Sequence, residues 1–339
     1  MILDLATYLP ETRLINEQLV ADLARWTPEE VFTKTGIRAR AIAGPAETGL
    51  DMGEAAARRL LERRTDAAEI DFILFCTQFP DYNLPPNATL LQARLGLPSS
   101  LGATDFSLAC SGYVYGLFLA DALLRSGNAR KILLVTGDTY TRHIAPSDSV
   151  SRPIFGDAAS ATLLGAESPV QVHAFTLGTD GSEAMRLATP NLGERARVTR
   201  GSSEDQDSSA TTESDIRMQG PDIFNFTLRT VPSSIRATLD KAGLTPADVD
   251  YFVLHQANAF MLEHLRRRIG ASKEQFVVDL ANTGNTVASS IPLVLDSLRR
   301  DGRLDSERKI LLSGFGVGFS WGSCILDWRP PHDWNSQST

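Results

Sequence analysis

A stretch of this chain recurs after about half its length. Asp71-Phe72-Ile73-Leu74-Phe75-Cys76 resembles Asp250-Tyr251-Phe252-Val253-Leu254-His255 at an offset of 179, and Arg130-Lys131-Ile132-Leu133-Leu134-Val135 resembles Arg308-Lys309-Ile310-Leu311-Leu312-Ser313 at an offset of 178. Each member is an apolar run entered from a charged turn, the pattern of a short buried strand. Helical patterns lie between and after them: Ala88 to Leu95 and Tyr113 to Arg125 in the first half, Phe260 to Ile269 and Ala288 to Arg300 in the second. Strand–helix–strand–helix–strand, twice over, predicts an α/β chain of two like halves with largely parallel sheets. The period is too long for a solenoid and fits a duplicated domain, 1–168 and 169–339, with the halves meeting around Glu167 to Val172. Chance likeness of buried strands is the duller explanation, and two matches in one order at nearly one offset make it the weaker.

A chain of 339 residues with 42% apolar and 22% charged content can bury a large core and reads as a soluble globular protein. Its net charge of −8 lacks the basic footprint of a nucleic-acid binder. Three cysteines, Cys76, Cys110 and Cys324, have neither disulfide-framework nor metal-site spacing, so no metal is expected. Met1 to Ala6 has no basic leader before an apolar run, and no apolar run reaches the ~18 residues of a membrane span. A cytoplasmic location is the expectation. The stretch from Glu194 to Asp215 is rich in Ser, Thr, Asp, Glu and Arg and reads as a long exposed loop, or a flap beside a substrate entrance.

Three short segments carry chemistry. Cys110 sits in Asp105-Phe106-Ser107-Leu108-Ala109-Cys110-Ser111-Gly112-Tyr113, just before an apolar helical pattern. A thiol at a helix N-terminus sees the positive end of the dipole, which favours the thiolate, and its small neighbours leave room for a substrate. Taken alone, it is more often a packed core cysteine. His255 ends a strand pattern and opens His255-Gln256-Ala257-Asn258, at the strand end where open α/β sheets place ligands. Asn285 lies in Asn282-Thr283-Gly284-Asn285-Thr286 and has a capping or turn role as its alternative. Asn258 is placed to cap the next helix or to orient His255. The run Gly314 to Gly322 follows a strand, so it is either a tight turn aiming an N–H group or a glycine-bulged hairpin. A thiol, an imidazole and an amide at strand-to-helix corners suit acyl transfer through a thioester.

Together with Thr35-Gly36-Ile37-Arg38, Phe155-Gly156-Asp157 and Gly220-Pro221, these segments run nearly the length of the chain. In that order they resemble the β-ketoacyl-acyl-carrier-protein synthase III family of the thiolase superfamily. The resemblance implies a thiolase-like duplicated α/β/α/β/α five-layer sandwich, a homodimer and an acyltransferase of class EC 2.3.1. It implies that Cys110 accepts the acyl group and that the Cys110 and Val317 amides form its oxyanion hole. His255 and Asn285 would then stabilise the enolate as a malonyl thioester loses carbon dioxide. It places Gly220 and Asn258 along a pantetheine tunnel and Phe155 among the substrate contacts. No bound cofactor is implied; coenzyme A or phosphopantetheine thioesters are the substrates and an acyl carrier protein is the partner.

The chain also departs from that family. Glu30 and a residue near Ser149 stand where relatives sandwich the coenzyme A adenine with tryptophan and arginine, and Arg152 is the nearby replacement. Phe260 stands where relatives dock a carrier with arginine, which leaves Arg266 and Arg267 as the basic face for an acidic carrier. Leu84 falls where short-chain enzymes close the acyl pocket with phenylalanine, so a longer chain is expected. These departures suggest a specialised pathway with a carrier-bound malonyl donor. The rival readings are acyl transfer to an oxygen or nitrogen acceptor without decarboxylation, and a non-catalytic partner of a homologous synthase.

Overall fold

The computed structural model describes residues 1–330 except 24, 65, 195, 197 and 199–214. Two sheets form its frame. The first runs in the order Ile2–Tyr8, Ala158–Gly165, Lys131–Asp138, Phe72–Cys76, Gly102–Phe106. The second runs Gln171–Thr179, Ser320–Trp328, Arg308–Gly316, Tyr251–Leu254, and Phe276 bridges in parallel to Phe252 where a fifth strand would lie. Matched strand by strand, the two orders are the same.

The repeat read from the sequence is preserved in register. Phe72 pairs with Ile132, and Tyr251 pairs with Ile310. The charged turns recur too. Asp71 accepts from the Lys131 amide at 3.1 Å, and Asp250 accepts from the Lys309 amide at 2.7 Å, so each carboxylate takes a backbone donor at the start of the neighbouring strand.

The helices complete five layers. Gly112–Arg125 and Ser290–Arg300 lie between the sheets, where Tyr113, Val114, Leu117, Ile291, Val294 and Leu298 share one buried cluster with strand residues of both halves. Gly49–Leu61 and Asn87–Arg94 cover the outer face of the first sheet through Leu50, Ala57, Leu60, Ala88 and Leu91. Gly220–Ala242 and Ala259–Ile269 cover the second through Val231, Ile235, Leu262 and Leu265. Strands covered on both faces must be apolar throughout, which is why they read as unbroken runs.

The sheets are less parallel than expected. Lys131–Asp138 with Ala158–Gly165, Ile2–Tyr8 with Ala158–Gly165, and both pairings of Ser320–Trp328 are antiparallel. For Arg308–Gly316 and Ser320–Trp328 the reason is the short link, residues 317–319, which has room for a hairpin and none for a crossover. The polar stretch 194–215 lies almost entirely outside the described residues. Among the described residues no helix is long and apolar enough to cross a membrane.

Candidate active site

Cys110 lies in a single 3-10 turn, Ala109–Ser111, that leads directly into helix Gly112–Arg125. Ala109 holds φ at 37°, a left-handed conformation that costs an alanine energy and turns the chain sharply between strand and helix. The turn rests on the glycine strand of the other half. A Cβ on Gly316 would stand 2.8 Å from the Cys110 Cβ and 3.1 Å from its Sγ, so only glycine allows this approach.

His255 follows strand Tyr251–Leu254, and its amide donates to the Ser313 carbonyl at 2.8 Å. Its ring is buried, with Nδ1 2.8 Å from the Ser290 hydroxyl, leaving Nε2 for the cavity. Ser290 Oγ also lies 2.9 Å from the Val287 carbonyl. The hydroxyl has one proton to place. Directed at Nδ1, it makes Nε2 the protonated nitrogen; directed at Val287, it leaves the ring to donate from Nδ1. Burial lowers the imidazole pKa to about 3, with a smaller raising effect from the Val287 carbonyl, so the ring is neutral at pH 7.

Asn285 is fixed by its backbone. Its amide donates to Ile154 at 2.9 Å and its carbonyl accepts from Gly156 at 3.0 Å. Its side-chain Oδ1 accepts from the Val287 amide at 3.0 Å, which leaves the Nδ2 group as the end free to donate. Gly284 before it has φ of 73°, and a Cβ there would meet the Ile154 carbonyl at 3.0 Å.

These three side chains line one cavity of about 60 Å³, together with Ile154, Phe155, Leu187, Met218, Ile223, Asn258 and Phe315. Phe155 stacks on Tyr140, with ring centroids 5.0 Å apart. Tyr140 lines a second, larger cavity of about 450 Å³ with Phe79, Met185, Leu187, Leu192, Ile216 and Val317. Leu187 lines both. Cys110, Tyr140, Leu187 and Ile216 also belong to one buried apolar cluster, so the thiol and the larger cavity share a wall.

The expected thiolate is not favoured here. Burial, and then the nearby Asp138 carboxylate, push the Cys110 thiol up to about 12, against a smaller lowering by its own backbone. Desolvation leads because the group is 5% exposed. Cys76 and Cys324 are buried as well, and burial pushes both thiols up.

The remaining expected residues divide. Asn258 lines the smaller cavity while its Oδ1 accepts from the Met261 amide at 2.8 Å, capping helix Ala259–Ile269. Val317 sits in the hairpin link and lines the larger cavity. Gly220 opens helix Gly220–Ala242 and lines neither, although Met218 and Ile223 on either side reach the smaller one. Arg152 lines neither; its guanidinium reaches the Thr141 carbonyl at 3.4 Å. Leu84 is 82% exposed and lines neither cavity, so within this chain it does not close an acyl pocket. Its loop, which begins at Thr77, carries it out onto the surface. Glu30 is occupied as the capping-box partner of Thr27.

Arg266 and Arg267 do not form a free basic pair. Arg266, with a side chain 17% exposed, holds Glu263 with two nitrogens and the Ala271 carbonyl with a third, closing the helix end. Arg267 also reaches Glu263, at 2.7 Å, but its side chain is 71% exposed. Tyr140, Leu187, Val287 and Ser290 lie outside the sequence motifs, and Ser111 and Ser320 lie inside them with no polar role read from them. The repeat offset of 178 offers a marker for two of them, matching Val287 to Ala109 and Ser111 to Ser289.

Comparison with known proteins agrees with this architecture. Residues 104–181 match the 3-oxoacyl-[acyl-carrier-protein] synthase III family and residues 239–328 match its C-terminal domain. The chain is 36% identical to the β-ketoacyl-[acyl-carrier-protein] synthase III of Xanthomonas axonopodis pv. citri over 321 residues, 94% of this chain and 95% of that protein. A crystal structure of a 3-oxoacyl-(acyl-carrier-protein) synthase III is similar with TM-score 0.89 and 41% identity, covering 96% of this chain and 98% of that one. The priming β-ketosynthase of the R1128 polyketide pathway is similar with TM-score 0.87 and 31% identity, covering 97% and 96%. By sequence and by fold, the chain belongs to the β-ketoacyl-[acyl-carrier-protein] synthase III family of acyl-thioester condensing enzymes.

Proposed function

We propose that Cys110 is the acylated nucleophile and that His255 and Asn285 carry the decarboxylative half of the reaction. The observation behind this reading is that all three line one cavity, with the Asn285 oxygen already engaged by the Val287 amide. In the first half the Cys110 sulfur bonds to the acyl carbon, the donor's thioester bond breaks, and the thiol proton leaves with the departing thiol. In the second, the malonyl carbon–carboxylate bond breaks and releases carbon dioxide. The electron pair moves into an enolate whose oxygen takes hydrogen bonds from His255 Nε2–H and Asn285 Nδ2–H. The carbon then bonds to the acyl group, the Cys110 sulfur is released, and it takes up a proton. For His255 to donate from Nε2, Ser290 must direct its proton at Nδ1.

The larger cavity is proposed as the room for the acyl chain, entered past Leu187. Its 450 Å³ exceeds the needs of an acetyl group and suits a medium or long chain. A carrier-bound malonyl donor, a homodimer, and a specialised pathway complete the reading, with the halves 1–168 and 169–339 as the repeat units. Supporting the pathway are the capping use of Glu30 and the exposure of Phe260 on the helix after the site. Mass spectrometry of the protein after exposure to a mixed acyl-thioester library tests the assignment. Acylation should fall on Cys110, favour longer chains, and vanish in Cys110→Ala.

A further inference from the structure

Two buried serines join the nucleophile turn to the hairpin that carries Val317. Ser111 and Ser320 are both fully buried and 209 residues apart, and their hydroxyls lie 2.7 Å from one another. Ser111 Oγ is also 2.9 Å from the Leu108 carbonyl, at the entry to the turn. Ser320 Oγ is 2.7 Å from the Val317 carbonyl. Two hydroxyl protons serve three contacts, forming a short chain from one backbone segment to the other.

The surroundings explain why such a link has work to do. Gly314 and Gly316 present bare backbone to the turn: a Cβ on Gly314 would meet the Cys110 carbonyl at 2.7 Å, and one on Gly316 the Cys110 Cβ at 2.8 Å. Glycine permits the close approach but supplies no side chain to set the separation. The serine pair supplies it.

The second half repeats the device. Ser289 follows Ser111 by 178 residues and lies in the matching 3-10 turn, Val287–Ser289. Its hydroxyl is 2.7 Å from Thr136 Oγ1 and 3.3 Å from the Ala158 carbonyl, both on the sheet of the other half. Each turn is thus fastened by a hydroxyl to the opposite sheet.

We infer that Ser111 and Ser320 are positioning residues that hold the Cys110 and Val317 amides at the spacing needed to receive one oxyanion. The inference rests on the Cys110 reading above and on the oxyanion pair that the family resemblance implies. Neither serine lines either cavity; both act through the backbone groups they fix.

The test compares two reactions of the same thiol. Acylation by an acyl thioester passes through an oxyanion, whereas alkylation by iodoacetamide does not. In Ser111→Ala and Ser320→Ala, single-turnover acylation of Cys110 should fall about tenfold, less than the 10²–10³ for outright loss of a donor. Alkylation should stay at the wild-type rate, and Ser320→Thr, which keeps a hydroxyl, should recover most of the acylation. Unchanged acylation in both alanine variants overturns the inference, as does an equal fall in both reactions, which would place the effect on the thiol itself. A wild-type protein that alkylates but never acylates would instead overturn the Cys110 reading.

Discussion

Ala109 and Val287 stand 178 residues apart, the spacing of the strand repeat, and both hold left-handed backbone, with φ of 37° and 55°. Each opens a 3-10 turn that leads into one of the two central helices. The turns meet: a Cβ on Gly112 would lie 3.6 Å from the Ala288 Cβ. The first turn presents the thiol. The second, through the Val287 amide and carbonyl, arranges Asn285 and the serine beside His255.

Ser290→Ala should separate the half-reactions. Without the hydroxyl, Nδ1 has no donor to make Nε2 the protonated nitrogen, so decarboxylation of a malonyl thioester should fall about tenfold or more. Acylation of Cys110 should change little. Equal loss in both steps, measured by acyl-enzyme mass and by carbon dioxide release, would show that Ser290 supports the fold alone.

The Cys110 thiol should be a slow nucleophile at neutral pH. With its pKa raised to about 12, alkylation at pH 7 should run well below that of free cysteine and climb steadily through pH 9 and beyond. A plateau between pH 6 and 8 would reveal a thiolate already formed.

Leu187 should govern chain length. Leu187→Phe narrows the shared wall, and each buried CH₂ it excludes is worth roughly 0.8 kcal/mol, so a few carbons shift the long-to-short ratio by one to two orders of magnitude. Competition between short and long acyl thioesters for Cys110 measures that ratio. No change in a folded variant would mean the chain takes another path.

Asp138 should make stability fall as pH rises toward 7. Burial raises its carboxyl to about 7, against smaller lowering by Gln78, Thr77 and Phe79, and Oδ2 is buried without a partner among the described residues. The folded form holds a proton that the unfolded chain loses near pH 4, so the stabilising contribution present at low pH disappears through the folded pKa. Between pH 6 and 8 the loss is on the order of 1 kcal/mol, a degree or two in Tm for a chain of this size. Asp138→Asn should remove that fall, read as the difference between wild type and variant in thermal unfolding at the two pH values. The difference is needed because the buried His255, protonated in the unfolded chain up to about pH 6.5, acts in the opposite direction at the lower end of the interval in both proteins.

Arg266 and Arg267 should part company. Arg266→Glu breaks the helix closure at Ala271 and should lower Tm, whereas Arg267→Glu should leave Tm alone and raise the KM for an acidic carrier protein, with a minimal pantetheine thioester unaffected. A KM unaltered by Arg267→Glu would remove this face from carrier docking.

Much of the frame was legible because strands covered on both faces must be apolar along their whole length. The helix expected from Tyr113 to Arg125 begins one residue earlier, at Gly112, and that from Phe260 to Ile269 begins at Ala259. Strand direction was not legible, since an apolar run carries no mark of what it pairs with. The helix N-terminus beside Cys110 can be read from sequence, while the burial that pushes its thiol up cannot. Leu84 reads from sequence as a pocket residue, whereas in the single chain its loop carries it to the surface, a path that matching positions across a gap cannot show. Ser111, Ser290 and Ser320 act across distances of 35 residues or more, or through a neighbour that does. Nothing local distinguishes them from other buried serines.

The meeting of the two turns has one more consequence. Position by position, Cys76 in the first half corresponds to His255 in the second, and Cys110 corresponds to Ala288. On the proposed assignment, each half therefore keeps one reactive group and one inert counterpart, in opposite places, so each serves as the other's blank. What the halves share, such as Asp71 and Asp250, is scaffold; where they differ is the chemistry. On the proposed assignment, a half expressed alone would hold Cys110 without His255 or His255 without Cys110, and the reaction belongs to the seam between them.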